Sequence, residues 1–464
     1  MRLPLLLAAS LFFYGYTSPI MLMHLIAVAG LTYRVAIAIE RSEDESRKKG
    51  FLTLALVGLV GNLVMFKYTS FLNETFREIF GWFGAAYDIP VLSIILPLGI
   101  SFYTFLMIGY LIDVFRGEKA ERDWLVFGTF VFFFPKMIAG PIERGNTLLP
   151  QLRASLPGFD YAMASAGLQL MLWGAFKKIV VADRIAPFVD RVYDAPHDFS
   201  GVSIVFSTWL YAFQLYCDFS GYTDIALGAA MVFGIKLLAN FNRPYFAVSI
   251  QDFWKRWHIS LTAWLNDYIY TPFVRSRFTG LKMYNLILLG MMLTFVVSGV
   301  WHGANWTFIV WGALHGTYIV VSLLAQKRWN KFAKNSGLTK RKKLYRNLKI
   351  SVTFFLVCFS YIFFRAETLG DAGYMVSQLF SGWGDIVAGI RAVAAGQLPE
   401  LLLALLGIAI VMAPELHKDH AKSGAIYRAL PSWQRGSLIY AATLAVVVLG
   451  AYNNADQQFI YFRF

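Results

Sequence analysis

The chain has 464 residues, of which 57% are hydrophobic, 17% aromatic and only 15% charged. Soluble domains carry about 25% charge, so the composition excludes a string of soluble domains and indicates one membrane domain over residues 1–464. The net charge of +14 is no nucleic-acid footprint, because the cations lie between hydrophobic segments and follow no nucleic-acid-binding module.

Spanning or membrane-buried segments are predicted at 3–16, 20–39, 51–68, 91–115, 124–139 and 162–181. The second half adds 202–216, 223–238, 284–300, 306–324, 348–364, 398–413 and 437–452. The first, with Arg2 ahead of an apolar run, has the outline of a signal peptide, but its aromatic exit at 12–16 lacks a small-residue cleavage site and predicts a retained helix. Glycine and proline interrupt several segments, and others are short. Re-entrant or half-spanning pieces are therefore expected, tolerated where protein or a cavity satisfies the backbone. The predicted fold class is an all-α polytopic integral membrane protein. Cys217 and Cys358 lie in apolar runs, with neither metal nor redox spacing.

Charge alternation orients the second half. The stretch 326–349 contains ten Lys and Arg residues and is predicted to be a basic cytoplasmic loop; 366–399 contains only Arg391. The next loop carries Lys418, Lys422, Arg428 and Arg435, and an earlier one carries Arg275, Arg277 and Lys282. The positive-inside rule puts 326–349 and both of these loops in the cytoplasm and 366–399 outside. His302 then falls at a turn between two helices, toward the outer side.

Around that turn, Ser298-Gly-Val-Trp301-His302-Gly-Ala-Asn305-Trp306 sets small and polar residues between two apolar helices. Little bulk flanks His302, so a substrate has room to approach, and a desolvated imidazole stays neutral and competent as a base. An intramembrane histidine can equally bridge helices by hydrogen bonding, and the residues alone leave both readings open. Asp252-Phe-Trp254-Lys-Arg-Trp257-His258-Ile-Ser-Leu-Thr-Ala-Trp264 alternates aromatic with basic residues, as an interfacial anchor does, and His258 is held apart as a chemical candidate. Asp218 and Asp224 flank Gly221 in an apolar region, where the glycine predicts a helix break. No further carboxylate or histidine cluster accompanies them, so no metal is expected and a hydrogen-bonding, positioning role is preferred. Lys136, Lys177 and Lys178 are expected to snorkel to headgroups. Walker, dinucleotide and Gly-x-Ser-x-Gly motifs are missing, which disfavours an ATP-driven pump and a serine hydrolase.

The stretch Ser-Gly-Val-Trp-His-Gly-Ala-Asn-Trp-Thr-Phe-Ile-Val-Trp-Gly-Ala-Leu-His-Gly resembles the signature of the membrane-bound O-acyltransferase (MBOAT) family, in its bacterial alginate O-acetyltransferase branch. Leu-Pro-Leu-Gly-Ile-Ser-Phe-Tyr-Thr-Phe (96–105), Ile-Ala-Gly-Pro-Ile (138–142), Asp-Phe-Ser-Gly-Tyr-Thr-Asp-Ile-Ala (218–226), Asn-Arg-Pro-Tyr-Phe (242–246), the segment 252–261 and Phe-Ile-Tyr-Phe (459–462) resemble the same branch, in order along nearly the whole chain. The resemblance implies about eleven spanning helices around a central tunnel, with His302 as catalytic histidine and His258 as its second recurrent histidine. It places Asp252, Trp254, Trp257, Trp301, Asn305 and Trp306 among lining or supporting residues, with Asp218 and Asp224 in a matching motif. Relatives of this branch often carry a further hydrophobic segment ahead of the stretch that begins this chain.

The implied reaction moves an acyl group, acetyl above all, from a cytoplasmic thioester across the inner membrane to a hydroxyl of an exported polysaccharide (alginate-like, another exopolysaccharide or peptidoglycan), directly or through a periplasmic acetyltransferase partner. Acetyl-CoA is the expected donor, and no bound cofactor is expected. His302 serves as general base or takes the acyl group transiently, with Asn305 or backbone donors on the oxyanion. Two alternatives stand: a D-alanyl transferase to teichoic acid fed by a carrier protein, and a proton-coupled transporter or flippase using His302 and Asp218.

Overall fold

Apolar runs, glycine and proline decide where helices begin and end in the computed structural model, which describes residues 2–85, 87, 89–90, 95–154, 158–276, 280–416, 429–452 and 459. Arg277, Lys418, Lys422, Arg428 and residues 460–462 lie outside the described residues, so those parts of the predicted loops and of the closing motif do too. Every regular element among the described residues is helical. The chain forms two compact units, Met1–Ser165 with Ala229–Leu238, and Ala166–Gly228 with Ala239–Phe464.

The first unit contains α1 (Arg2–Thr17), α2 (Pro19–Arg41), α3 (Glu45–Lys67), α4 (Thr69–Trp82), α5 (Ile100–Phe115), α6 (Trp124–Phe132), α7 (Phe134–Met137) and α8 (Gly145–Arg153). Glycine and proline shorten the predicted segments here. In the described part of the run 91–115, which starts at Ile95, the helix begins at Ile100, after Pro97 and the left-handed Gly99, and 124–139 breaks at Phe133, just before Pro135. A Cβ on Gly99 would stand 2.4 Å from the Met137 carbonyl oxygen, so motif 96–105 abuts the residues leading into motif 138–142. Lys136 is buried near Glu143 and over the Phe130 ring at 5.5 Å, not snorkelling.

The helices that follow, α9 and α11 for the most part and the others wholly in the second unit, are α9 (Tyr161–Ala175), α10 (Asp183–Tyr193), α11 (Gly201–Val232), α12 (Ile250–Trp254), α13 (Ile259–Leu265), α14 (Thr271–Arg275), α15 (Met283–His302), α16 (Trp306–Asn335), α17 (Lys342–Arg365), α18 (Leu369–Gln378), α19 (Ile386–Ala394), α20 (Leu398–Met412) and α21 (Ser432–Leu449). The break predicted at Gly221 does not occur, since α11 is continuous through it. Gly221 is instead a contact residue: its added Cβ would lie 2.7 Å from the Gly174 carbonyl oxygen. The basic stretch 326–349 is mostly helix rather than loop. α16 carries Lys327, Arg328, Lys331 and Lys334, α17 begins at Lys342, and the turn is confined to 336–341.

Six helices among the described residues are long and apolar enough to cross a membrane: Pro19–Arg41, Glu45–Lys67, Met283–His302, Trp306–Asn335, Lys342–Arg365 and Leu398–Leu416. That is fewer than the resemblance implies, because several remaining segments are too short to span upright. Their outward faces are apolar; α3 leaves Leu54 73% and Val57 65% exposed. Hydrocarbon accepts such a face, whereas water penalises it by roughly 25 cal/mol per Å².

Candidate active site

Glycines draw α15 and α16 into backbone contact and thereby form the site. A Cβ on Gly299 would lie 2.3 Å from the Phe308 carbonyl oxygen, and one on Gly312 would lie 2.3 Å from the Phe295 carbonyl oxygen. His302 ends α15, Gly303 to Asn305 turn the chain, and α16 starts at Trp306. Gly303 does not open space for a substrate, as its sequence position suggests. The Phe308 ring fills the place its side chain would take, at 2.1 Å from an added Cβ.

His302 is 4% exposed. Three aromatic rings meet its imidazole edge to face: Trp301 at 4.8 Å, Trp311 at 5.0 Å and Phe364 at 5.3 Å. Trp301 also faces His258 at 6.0 Å, so one indole separates the two predicted catalytic histidines. His258 starts α13 in the left-handed region, φ 43°, between helices too short to span. Phe219 of α11 packs on its ring at 4.7 Å. Its Nδ1 lies 3.3 Å from Asn240 Oδ1, which also accepts from Ser260 N at 3.1 Å and Ser260 Oγ at 2.8 Å. The backbone donor identifies that atom as the carbonyl oxygen, so His258 donates from Nδ1 and keeps its lone pair on Nε2. Burial pushes the His258 pKa down to about 3.

His315, one turn beyond Trp311, is a third histidine of the site, which reading the motifs for catalysis passed over. It is fully buried, accepts from Trp254 Nε1 at Nδ1 (3.2 Å) and donates from Nε2 to Ser360 Oγ (2.9 Å). Ser360 Oγ in turn donates a hydrogen bond to the Val357 carbonyl at 2.7 Å. Both ring nitrogens are therefore engaged. Trp311 stands 5.0 Å from His315 as well as from His302 and binds the two into one aromatic stack. The i, i+4 spacing of Trp311 and His315 beside Gly312 was the available signal; Asn240, Ser360 and Phe364 had none.

The other predicted residues separate by partner. Trp254 and Trp257 are buried among rings, so the segment 252–264 packs into protein instead of lying as an anchor on the lipid surface. Asp252 accepts from Val248 N at 3.0 Å and Arg256 Nε at 2.8 Å. Asn305 caps α16 by accepting from Thr307 N (2.9 Å) and donates to the Glu367 carbonyl (2.8 Å), which uses both ends of its amide. Trp306 is 45% exposed, outside the enclosure around His302. Asp218 and Asp224 neutralise lysines: Lys178 lies 2.6 Å from Asp218 and 2.7 Å from Asp183, and Lys177 lies 2.7 Å from Asp224. Those lysines sit in a π-helix, Phe176–Ala182, and are paired where snorkelling was expected. Tyr216 adds a hydrogen bond to Glu415 beside Lys177.

Residues 11–364 match the sequence pattern of MBOAT, the membrane-bound O-acyltransferase family. The chain is 36% identical to a probable alginate O-acetylase AlgI of Azotobacter vinelandii, over 88% of this chain and 78% of that protein. It is 35% identical to a peptidoglycan O-acetyltransferase of Helicobacter pylori, over 79% and 71% respectively. A teichoic acid D-alanyltransferase of Bacillus subtilis is 29% identical over 60% of this chain and 71% of its own length. With the histidine-bearing hairpin inside the matched region, the chain belongs to the membrane-bound O-acyltransferase family and is a multi-pass membrane O-acyltransferase.

Proposed function

We propose that the protein transfers an acetyl group from cytoplasmic acetyl-CoA, across a bacterial inner membrane, to a hydroxyl of an exported polysaccharide, with His302 as the base. The observation that carries this reading is the enclosure of His302 by Trp301, Trp311 and Phe364 at the end of the α15–α16 hairpin. That end is the one away from the basic residues of α16 and α17. Such surroundings exclude water, which would otherwise hydrolyse the thioester, and hold an imidazole in one orientation.

In the reaction His302 takes the proton from the acceptor hydroxyl as its oxygen bonds to the acyl carbon. The C–S bond then breaks, and the imidazolium returns the proton to the departing thiolate. General-base help of this kind supplies roughly 10²–10⁴-fold in rate. Asn305 caps α16 and donates one amide N–H to the Glu367 carbonyl, which leaves its second N–H for the oxyanion. Higher identity to polymer O-acetylating relatives than to the D-alanyltransferase supports acetyl over D-alanyl transfer. Alginate-like polymers and peptidoglycan are equally supported as acceptors, reached directly or through a periplasmic acetyltransferase partner.

The test is label transfer from acetyl-CoA to polysaccharide in proteoliposomes containing wild type or His302→Gln. The substitution should remove transfer to the 10²–10⁴-fold extent expected of a lost general base. Unchanged transfer overturns the role of His302; transfer of D-alanine from a carrier protein and none of acetyl overturns the choice of donor.

A further inference from the structure

Arg243, in the Asn-Arg-Pro-Tyr-Phe motif, is 5% exposed, and neither its Nε nor its Nη2 has a hydrogen-bond partner. A buried guanidinium with two unsatisfied donors is costly, and one kept in a folded protein calls for an explanation, of which a bound ion or ligand is one. Its backbone is in the left-handed region at φ 52°, immediately before Pro244, a conformation that a non-glycine residue adopts at a cost. Arg256 lies beside it, its carbonyl accepting from Asn242 N at 2.8 Å, and the charges of Arg256, Arg346 and Glu415 act on it, the last without forming a salt bridge. Arg256 is held by Asp252 at 2.8 Å, and Tyr216 occupies one Glu415 oxygen. Arg243 therefore offers two unfilled donors in the field of two further guanidiniums.

Position along α17 relates this cluster to His302. Tyr245, two residues past Arg243, packs on Phe354 at 5.1 Å, and Arg346 lies two turns nearer the basic end. Phe364, which touches His302, is 10 residues beyond Phe354 and 18 beyond Arg346. At 1.5 Å per residue the cluster thus lies about 15–27 Å from His302 along the helix axis. The basic end is the cytoplasmic one by the positive-inside rule.

We infer that Arg243, with Arg256 and Arg346, forms a cytoplasm-facing site for a phosphoryl group of the thioester donor, which carries its acyl group to His302 on a long flexible arm. This rests on the acetyl-transfer reading above and adds how the donor is recognised. A compact donor such as an acyl phosphate, anchored here, holds its carbonyl out of reach of His302. Arginine suits the role because its planar fork pairs with phosphate through two parallel bonds.

Equilibrium binding of radiolabelled CoA separates this site from the chemistry, because it needs no turnover. Wild type, Arg243→Gln, Arg243→Lys and the half-buried Arg346→Gln are purified in detergent without anionic lipid, and folding is checked by thermal unfolding. Loss of a charge-assisted phosphate contact should weaken CoA binding about 10- to 100-fold in Arg243→Gln, less in Arg243→Lys and Arg346→Gln. The KM for acetyl-pantetheine, which lacks phosphate, should stay the same. If Arg243→Gln does not fold, Arg346→Gln alone decides, with the same expectation of a selective loss of CoA. CoA binding unchanged in the folded variants, or equal loss with CoA and acetyl-pantetheine, overturns the site. So does co-purified phosphatidylglycerol that Arg243→Gln lacks while CoA binding is unaffected, since the phosphoryl group then belongs to a lipid. His302→Gln should bind CoA as wild type does. A wild type that binds CoA through Arg243 but transfers nothing refutes the acetyl-transfer reading and leaves this site standing.

Discussion

A methyl group placed on Gly312 would sit 2.3 Å from the Phe295 carbonyl oxygen, 3.1 Å from its carbon and 3.2 Å from Gly299 Cα. All three atoms are backbone, so no side chain can turn aside. Restoring ordinary contact near 3.4 Å requires α15 and α16 to part by about 1 Å, and an overpacked contact of this kind costs about 1–3 kcal/mol. The displacement occurs beside His302, the proposed base: Trp311 adjoins Gly312 and faces His302 across the same interface at 5.0 Å. A shift of about 1 Å in a reacting group can lower turnover by about 10²-fold. Gly312→Ala should therefore lose kcat for labelled acetyl transfer far beyond the fraction of protein it unfolds, while CoA binding is kept. Gly61→Ala in α3, where an added Cβ meets nothing within 4 Å, is the control and should be active. Gly312→Ala with wild-type turnover would refute the claim that hairpin packing positions His302.

His315→Ala removes the acceptor of the Trp254 indole and opens a cavity in a full core, so it should destabilise by about 2–5 kcal/mol, read as a lower unfolding midpoint. His302→Gln should leave that midpoint nearly unchanged, and the reverse pattern would exchange their roles. Lys177→Met leaves Asp224 buried without its cation and should cost about 3–5 kcal/mol, much of it recovered in Lys177→Met with Asp224→Asn. Failure of the double substitution to recover stability would show that the pair is not an isolated ionic contact.

Long apolar runs with charged ends were legible from the sequence, because hydrophobicity and length alone define them; α2, α3 and α15–α17 lie close to where the runs predict. Breaks were less legible. Gly221 and Gly99 are the same residue type, yet one lies within an unbroken helix against Gly174 and the other precedes a helix in the left-handed region. Only a neighbour some 40 residues away distinguishes them. Pairing failed for the same reason. Asp218, Asp224, Lys177 and Lys178 read as separate charges until two helices place them 2.6–2.7 Å apart. His302 and His258 could be named from local pattern, but not the use of Asn305 as a cap, which depends on the Glu367 carbonyl 62 residues later.

The three histidines share one side chain and differ in what their partners leave them to do. His315 has a donor on one nitrogen and an acceptor on the other, so protonating it breaks the bond from Trp254, and it holds the aromatic stack together. His258 gives its proton to an amide oxygen that Ser260 already orients, which fixes one tautomer and leaves Nε2 as its acceptor. His302 ends a helix among three ring edges, beside indoles that touch each of the other two histidines. A tautomer fixed at His258 and a stack fixed at His315 restrict Trp301 and Trp311, and those two rings restrict the imidazole of His302. The orientation of the His302 imidazole is thus tied to hydrogen bonds at the flanking histidines, which reach it through packing.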